Sequence, residues 1–65
     1  MQIFIEREKK NIVLDVDKIT GSMLVSQLGL RISEVLIIRN DEIVTEDILL
    51  QKEDNIKILS VISGG

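Results

Sequence analysis

Apolar and polar residues alternate along the first part of the chain. Met1, Ile3 and Ile5 share one face of residues 1–7, and a polar turn at residues 8–11 separates them from a second alternating run at residues 12–17. A period of two is typical of a strand with one buried face. The N-terminal pattern therefore predicts a β-hairpin.

A helical pattern follows the predicted hairpin. Thr20 is a suitable N-cap, residues 21–28 carry apolar side chains at helical spacing, and Gly29 suits the C′ position. A helix of little more than two turns without alanine has little stability of its own. We therefore expect packing against a sheet to hold it in place.

Two apolar segments in the second half of the chain predict strands. Residues 35–38 form a continuous apolar run, which indicates a strand with both faces at least partly covered, and residues 56–62 predict a final strand. The pattern between them is less regular. We expect, in order, a turn, a short strand, a turn of helix or an irregular core segment, and a second turn at residues 40–42, 43–44, 48–50 and 52–55.

The order of these elements predicts the fold class. A crossover through a helix is the usual route to a parallel neighbour, and a strongly apolar final strand belongs inside the sheet rather than at its edge. We therefore predict one α+β domain over residues 1–65, with one helix packed across a mixed sheet of four to five strands. Residues 63–65 are expected to form a flexible tail.

Composition limits the chemistry that this domain can perform. The chain has 65 residues, 45% of them hydrophobic, and contains neither Cys nor His. Disulfides, zinc sites with thiol or imidazole ligands and thiol catalysis are therefore excluded. The internal glycines, Gly21 and Gly29, form no phosphate-binding loop. We predict no catalytic residues, no metal site and no bound cofactor, and hence a protein that is not itself an enzyme.

The charge of the chain argues against a nucleic-acid partner. The net charge is −3, and acidic pairs occur at residues 41–42, 46–47 and 53–54, which we interpret as solvated turns. A basic groove on a partner protein fits this surface better. No apolar run approaches the roughly 20 residues that span a bilayer, and no signal peptide begins the chain. We expect a cytoplasmic protein with no membrane or nucleic-acid partner.

Two of the four glycines, Gly64 and Gly65, follow the predicted final strand directly. The dipeptide alone fits a frayed end as well as it fits a function. The functional interpretation rests on shape, because a backbone without Cβ atoms can enter a narrow channel. With Ser63 the tail reaches about 10 Å when extended. It could deliver the Gly65 carboxylate to a partner's active site, for attack on the α-phosphate of ATP.

Several segments together resemble one family. The sequences VLIIRNDEIV at residues 35–44, KEDNIKI at residues 52–58 and VISGG at residues 61–65 are similar to the ubiquitin-like sulfur carriers of the ThiS/MoaD type, including archaeal ubiquitin-like small modifiers. The helix and its Leu-Gly-Leu exit at residues 20–30 extend this likeness to the whole chain.

The resemblance implies a β-grasp (ubiquitin-like) fold and a defined chemistry. A ubiquitin-activating-type adenylyltransferase of the ThiF/MoeB kind would use ATP and Mg²⁺ to activate the chain, and a thiocarboxylate would form at Gly65. The chain departs from the family pattern at Asp41 and Glu53, where Gly is common. Both positions lie in predicted turns, so we expect them to affect local stability more than activity.

The predicted faces of the sheet identify a candidate docking surface. We expect one set of side chains to face the helix: Ile3, Ile5, Ile56, Ile58 and Ile62. Phe4, Leu59 and Val61 then lie on the opposite face, joined by alternate members of residues 35–38. Such an apolar face could dock the activating enzyme, although ordinary exposed aliphatic residues or a homodimer are alternatives.

Three functional hypotheses follow. The chain could carry sulfur from a donor to a synthase of thiamine, molybdopterin or tRNA-thiolation type, and its short length mildly favours the thiamine type. It could instead modify lysines of target proteins through Gly65, and the two roles can coexist in one protein. Alternatively, it could be a non-covalent β-grasp interaction module. Because nothing follows Gly65 in the sequence, we expect no processing protease.

Overall fold

The computed structural model of the chain describes residues 1–61. Expectations for Ile62, Ser63, Gly64 and Gly65 lie outside the described residues. Two 3-10 turns in the described part, Glu6–Glu8 and Ile32–Glu34, accompany one α-helix and seven strands. In chain order these are β1 (Gln2–Ile5), β2 (Lys10–Val13), β3 (Lys18–Thr20), α1 (Gly21–Gln27), β4 (Val35–Arg39), β5 (Glu42–Val44), β6 (Leu49–Gln51) and β7 (Asn55–Ser60).

The last strand, β7, lies at the centre of the main sheet. The strand order is β2-β1-β7-β4-β5. β7 pairs parallel with β1 and antiparallel with β4, while β1–β2 and β4–β5 are antiparallel hairpins. The predicted mixed sheet, its upper number of five strands, the internal position of the final strand and the single helix are therefore confirmed.

The hydrophobic core lies between this sheet and α1. Ile3, Ile5, Ile56 and Ile58 are all buried on the face that the sequence pattern assigned to the helix. Further buried side chains complete the core: Met1, Ile19, Leu24, Val25, Ile37 and Leu50. Each fully buried aliphatic side chain contributes about 1.5–3 kcal/mol relative to exposure, so this cluster holds the short helix on the sheet.

Both ends of α1 have the predicted caps. The hydroxyl of Thr20 accepts a hydrogen bond from the amide of Met23 at 3.3 Å. At the other end, Gly29 has a φ of 74°, and the amides of Gly29 and Leu30 donate back into the last turn at 3.0 and 3.1 Å. This arrangement is a Schellman motif, in which a left-handed residue closes the helix, and the sequence prediction of both caps is confirmed.

A second, two-stranded sheet corrects the sequence prediction. β3 and β6 pair antiparallel, with Ile19 opposite Leu50, and both of these side chains are buried. Residues 48–50 were expected to form a turn of helix or an irregular core segment, and this expectation is wrong because residues 49–51 form a strand. Strands of three residues are too short to show an alternating pattern.

The limits of β1 and β2 also differ from the prediction. β1 ends at Ile5 rather than Arg7, because a 3-10 turn follows and Lys9, with a φ of 51°, reverses the chain. β2 then starts inside the predicted turn and ends at Val13 rather than Asp17. Just beyond β2, Leu14 and Met1 exchange two backbone hydrogen bonds.

The C-terminal half follows its predicted order with small shifts. β4 includes Arg39, β5 begins at Glu42, and β7 runs from Asn55 to Ser60, so its described end precedes the predicted one. Beyond β7 the amide of Val61 donates to the carbonyl of Glu34 at 2.9 Å.

Asp54 links neighbouring segments at the end of the sheet where β7 begins. Its carboxylate accepts hydrogen bonds from the amide of Gln51 at 2.8 Å and from the side chain of Asn40 at 3.2 Å. The Nε atom of Arg39 lies 2.8 Å from the same carboxylate and forms an ion pair rather than an aligned hydrogen bond. Only 7% of Asp54 is exposed, so the interpretation of every acidic pair as solvated surface is wrong for this residue.

The Asn40-Asp41 turn between β4 and β5 carries backbone strain. Both residues have positive φ, 49° and 71°, and Arg39 pairs with Glu42 on either side of them. A two-residue loop with two left-handed residues is a type I′ turn, which favours glycine at its second position. Asp41 is therefore an unfavourable residue at that position.

Replacing Asp41 by glycine should stabilise the domain. We expect D41G to raise the free energy of unfolding by about 0.5–1 kcal/mol, because glycine adopts a positive φ without the clash of a Cβ atom. Urea unfolding followed by circular dichroism measures the change. Glu53, the other departure from the family pattern, does not have a positive φ. E53G is therefore the matched control, and it should lower stability; a gain in both variants, or a loss in D41G, contradicts the strain at Asp41.

The stability of the domain should depend on Asp54 at low pH. Burial alone would raise the pKa of this carboxyl, but the Gln51 amide, the Asn40 side chain and the Arg39 guanidinium together hold the pKa below its usual value. A lowered folded pKa contributes stability that is present above the unfolded value of about 4 and is lost as the pH falls through the folded value.

In D54N, the free energy of unfolding should therefore fall less steeply below about pH 4 than in the wild type. At neutral pH it should cost about 2 kcal/mol, because Arg39 loses its counter-charge. Urea unfolding over a pH series checks both effects. E53Q, which removes an exposed carboxylate of the same turn, is the control and should retain the wild-type pH dependence. An unchanged pH dependence in D54N would show that Asp54 does not act as described.

Candidate functional site

The chain leaves the main sheet from a fixed point. β7 is held between β1 and β4, and its last residue, Ser60, pairs with Val35. The next residue, Val61, is 45% exposed, and its amide is bonded to Glu34. Val61 is therefore held on the β4 side of β7, next to Glu34 and Val35.

Three of the predicted site residues cannot be placed on the structure. Ser63, Gly64 and Gly65 lie outside the described residues 1–61. The carboxylate of Gly65 as the reactive group, and Ser63-Gly64 as the tail that presents it, remain predictions from the sequence.

The face of the main sheet that points away from α1, the outer face, carries the predicted docking residues. In the ladder between β4 and β7, Leu36 lies opposite Leu59, and in the hairpin Ile38 lies opposite Ile43. Leu36 is 36% exposed and Ile43 is 67% exposed. We call four neighbouring side chains of this face the aliphatic patch: Leu36, Ile38, Ile43 and Leu59.

The predicted docking residues do not form one continuous cluster. Leu59 is half-buried and belongs to the aliphatic patch. Phe4 is also half-buried on the outer face, but Lys57 lies directly opposite Phe4 and separates it from Ile38. Val61 follows β7 and is exposed. The structure therefore brings Leu59 together with residues of β4 and places Phe4 across a lysine.

Sequence analysis missed Ile43 as a member of this surface. It assigned residues 43–44 to a short strand without giving either residue a face. The pairing of Ile38 with Ile43 now places Ile43 on the outer face, while Val44 is half-buried opposite Ile37. The only available signal was the alternation within a three-residue strand, which is too short to be decisive.

The described part of the chain offers no metal-binding cluster. Within residues 1–61, no three Asp or Glu side chains come close enough together to hold an ion. In the same part of the chain, no helix has the length and apolar character needed to cross a membrane.

One exposed carboxyl has a shifted pKa. The hydroxyl of Thr45 donates a hydrogen bond to the carboxylate of Asp47. This bond, together with one from the backbone amide of Asp47 itself, holds the pKa of the carboxyl below its usual value against a small opposing effect of desolvation. Asp47 therefore keeps its negative charge at pH values where an ordinary aspartate begins to lose it.

The architecture defines the class of protein. A mixed five-stranded sheet with its last strand at the centre and one helix packed across it is the β-grasp fold of ubiquitin-like domains. The sequence model of the ThiS family matches residues 3–65, and the chain belongs to this family. No curated protein matches the chain.

Membership of the family settles the general type of activity. ThiS-family proteins are ubiquitin-like sulfur carriers, small proteins that act as carriers rather than enzymes. They interact in general with activating enzymes of the ThiF/MoeB type.

Proposed function

We propose that this chain carries sulfur as a thiocarboxylate on Gly65, after a ThiF/MoeB-type enzyme has adenylylated the Gly65 carboxylate. The observation that carries this proposal is the family match over residues 3–65, which includes Gly64 and Gly65. The central position of β7 supports it, because a partner that binds the domain then meets the chain at a defined exit.

The proposed activation is a two-step acyl transfer. An oxygen of the Gly65 carboxylate attacks the α-phosphorus of ATP, the bond to the β-phosphate oxygen breaks, and pyrophosphate leaves. Hydrosulfide from a sulfur donor then attacks the acyl carbon, a carbon–sulfur bond forms, and AMP leaves with the electron pair of the broken carbon–oxygen bond. The product is a thiocarboxylate. The partner enzyme supplies ATP, Mg²⁺ and the groups that stabilise the developing charge.

The aliphatic patch is the proposed docking surface for the activating enzyme. It lies on the outer face beside the exit of β7, since Leu59 is two residues from Val61. Burial of its exposed aliphatic side chains against a partner is favourable. Phe4 and Val61 would extend the contact on either side. In this arrangement the enzyme binds the sheet and the tail at the same time.

After activation, the sulfur would pass to a synthase of the thiamine, molybdopterin or tRNA-thiolation type. The alternative fate, conjugation of Gly65 to lysines, requires the same adenylate. The two fates therefore differ only in the acceptor, a sulfur nucleophile or a lysine amine.

The proposed chemistry predicts a change of mass at Gly65. When the chain is incubated with a ThiF/MoeB-type adenylyltransferase, ATP, Mg²⁺ and sulfide, intact-mass spectrometry should show one oxygen replaced by sulfur. Omission of ATP or deletion of Gly65 should abolish the change. A Gly65-deleted chain that is still converted would contradict the proposal.

Protein isolated from its native cell separates the alternative fates. Thiocarboxylate in the intact mass supports the carrier, whereas glycine remnants on lysines of other proteins support the modifier. If deletion of Gly65 changes no adduct and no phenotype, the domain acts as a non-covalent module and the proposal fails.

The docking surface is tested by charge substitutions on the outer face. L59D should lower kcat/KM for adenylation by about tenfold, because a carboxylate would have to be desolvated within the interface. I43D, at a more exposed position, should have the same effect with less risk to folding. V13D is the matched control, since Val13 is 78% exposed on the same face but lies on the opposite edge strand, β2. Circular dichroism verifies that each variant is folded; equal rates in all three would refute docking at this patch.

A further inference from the structure

β5 is shorter than β4, so the edge of the main sheet has a gap beside the start of β4, at Val35 and Leu36. We call this gap the notch. β5 pairs with β4 from Arg39 to Ile37 and ends at Val44, whereas β4 begins at Val35. Val35 and Leu36 therefore extend beyond the last paired residue of β5. The chain turns away at this point, since the carbonyl of Glu46 accepts a bond from the amide of Ser22 at the start of α1.

The backbone of Val35 faces this notch. Along a strand, the N–H and C=O groups of successive residues point to opposite sides. Just beyond β4, the amide of Asn40 donates to the carbonyl of Asn55 on the β7 side, so the even-numbered residues of β4 face β7 and the odd-numbered residues face β5. Val35 lies past the end of β5, so β5 does not pair with its N–H or C=O group.

An apolar groove adjoins this end of β4. Its volume is about 610 Å³, and its walls are mostly aliphatic, from Ile32, Val35, Leu36, Ile37, Ile43 and Val44. Leu36 and Ile43 also belong to the aliphatic patch. A groove of this kind can take an aliphatic side chain, while the backbone beside it can extend the ladder of β4. The position of the groove in line with β5 fits an extended segment lying next to β4.

The rim of the groove is negatively charged. Glu46 and Asp47 line it and are exposed, and no lysine or arginine lies among the residues that form it. The hydroxyl of Thr45 holds the Asp47 carboxylate in place. A basic side chain beside the aliphatic anchor would therefore meet two opposite charges.

A second copy of this chain does not fit the same notch. A symmetric contact between two such edges would bring the acidic rims of both copies into one interface. Like charges placed opposite each other across paired strands are destabilising, and charged residues at sheet edges oppose self-association. Charge complementarity therefore selects a basic partner.

We propose that the notch binds an extended segment of a partner protein in which an aliphatic side chain is adjacent to lysine or arginine. The aliphatic side chain enters the groove, its own backbone N–H and C=O pair with Val35, and the cation lies between Glu46 and Asp47. This site is on the edge of the sheet and uses no residue of the tail. It does not depend on the chemistry proposed for Gly65.

A short blocked peptide tests the site directly. The probe has isoleucine at its centre, a lysine on each side of it and a valine at each end, and it is titrated into the isotope-labelled chain while amide resonances are followed by NMR. We expect saturable shifts concentrated at the amides of Val35, Thr45 and Glu46. Shifts confined to other parts of the described chain, or no shifts at all, would overturn the proposal.

Matched peptides separate the contribution of charge from that of strand pairing. Glutamates in place of the lysines should abolish binding, because they face the acidic rim. An N-methyl group on the central isoleucine removes the donor to the carbonyl of Val35 and should also abolish binding. If either peptide binds as well as the probe, the charge or the strand pairing is not what recognises the segment.

Substitutions in the chain give the corresponding control. The double variant E46Q/D47N should bind the lysine peptide about fivefold more weakly, as expected for the loss of two exposed charge contacts. E53Q removes an acid from a turn outside the notch and should bind normally. Equal affinities of the two variants would contradict the proposed rim. Concentration-dependent shifts of the notch amides without peptide would assign the site to a second copy and overturn the proposal.

Discussion

The parallel pairing of β1 with β7 is the contact on which the rest of the structure depends. Two parallel neighbours cannot be joined by a tight turn, so the chain between them must cross the sheet, and α1 makes that crossing. The crossing buries Leu24 and Val25 against the isoleucines of both strands. It also leaves β4 to pair on the free side of β7, which places the final strand at the centre of the sheet.

The two ends of β7 have different surroundings. Where the strand begins, Asp54 binds Gln51, Asn40 and Arg39 and so joins a turn, a hairpin and the central strand through one buried carboxylate. Where it ends, Val61 is exposed and has one backbone bond to Glu34. The described part of β7 is therefore more firmly held at its start than at its end.

The fold was predictable where the pattern was long enough. The period of β1, the apolar run of β7 and the two caps of α1 each carry a local signal, and together with the Gly64-Gly65 pair they indicated both the architecture and the candidate reactive group. β3 and β6 were missed because their pairing depends on tertiary contact. Asp54 was misjudged because a buried acid in a turn has the same sequence pattern as a solvated one, and the role of Ile43 depends on which strand lies opposite.

The same parallel pair has a consequence for how the chain folds. Ile3 pairs with Ile56, so the central contact joins residues from opposite ends of the sequence. Forming this contact carries a large entropic cost of loop closure. Folds dominated by such distant contacts form more slowly than those built from neighbouring segments. During synthesis the N-terminal hairpin has no central strand to pair with until β7 has left the ribosome. A chain truncated before β7 is therefore expected to remain unfolded.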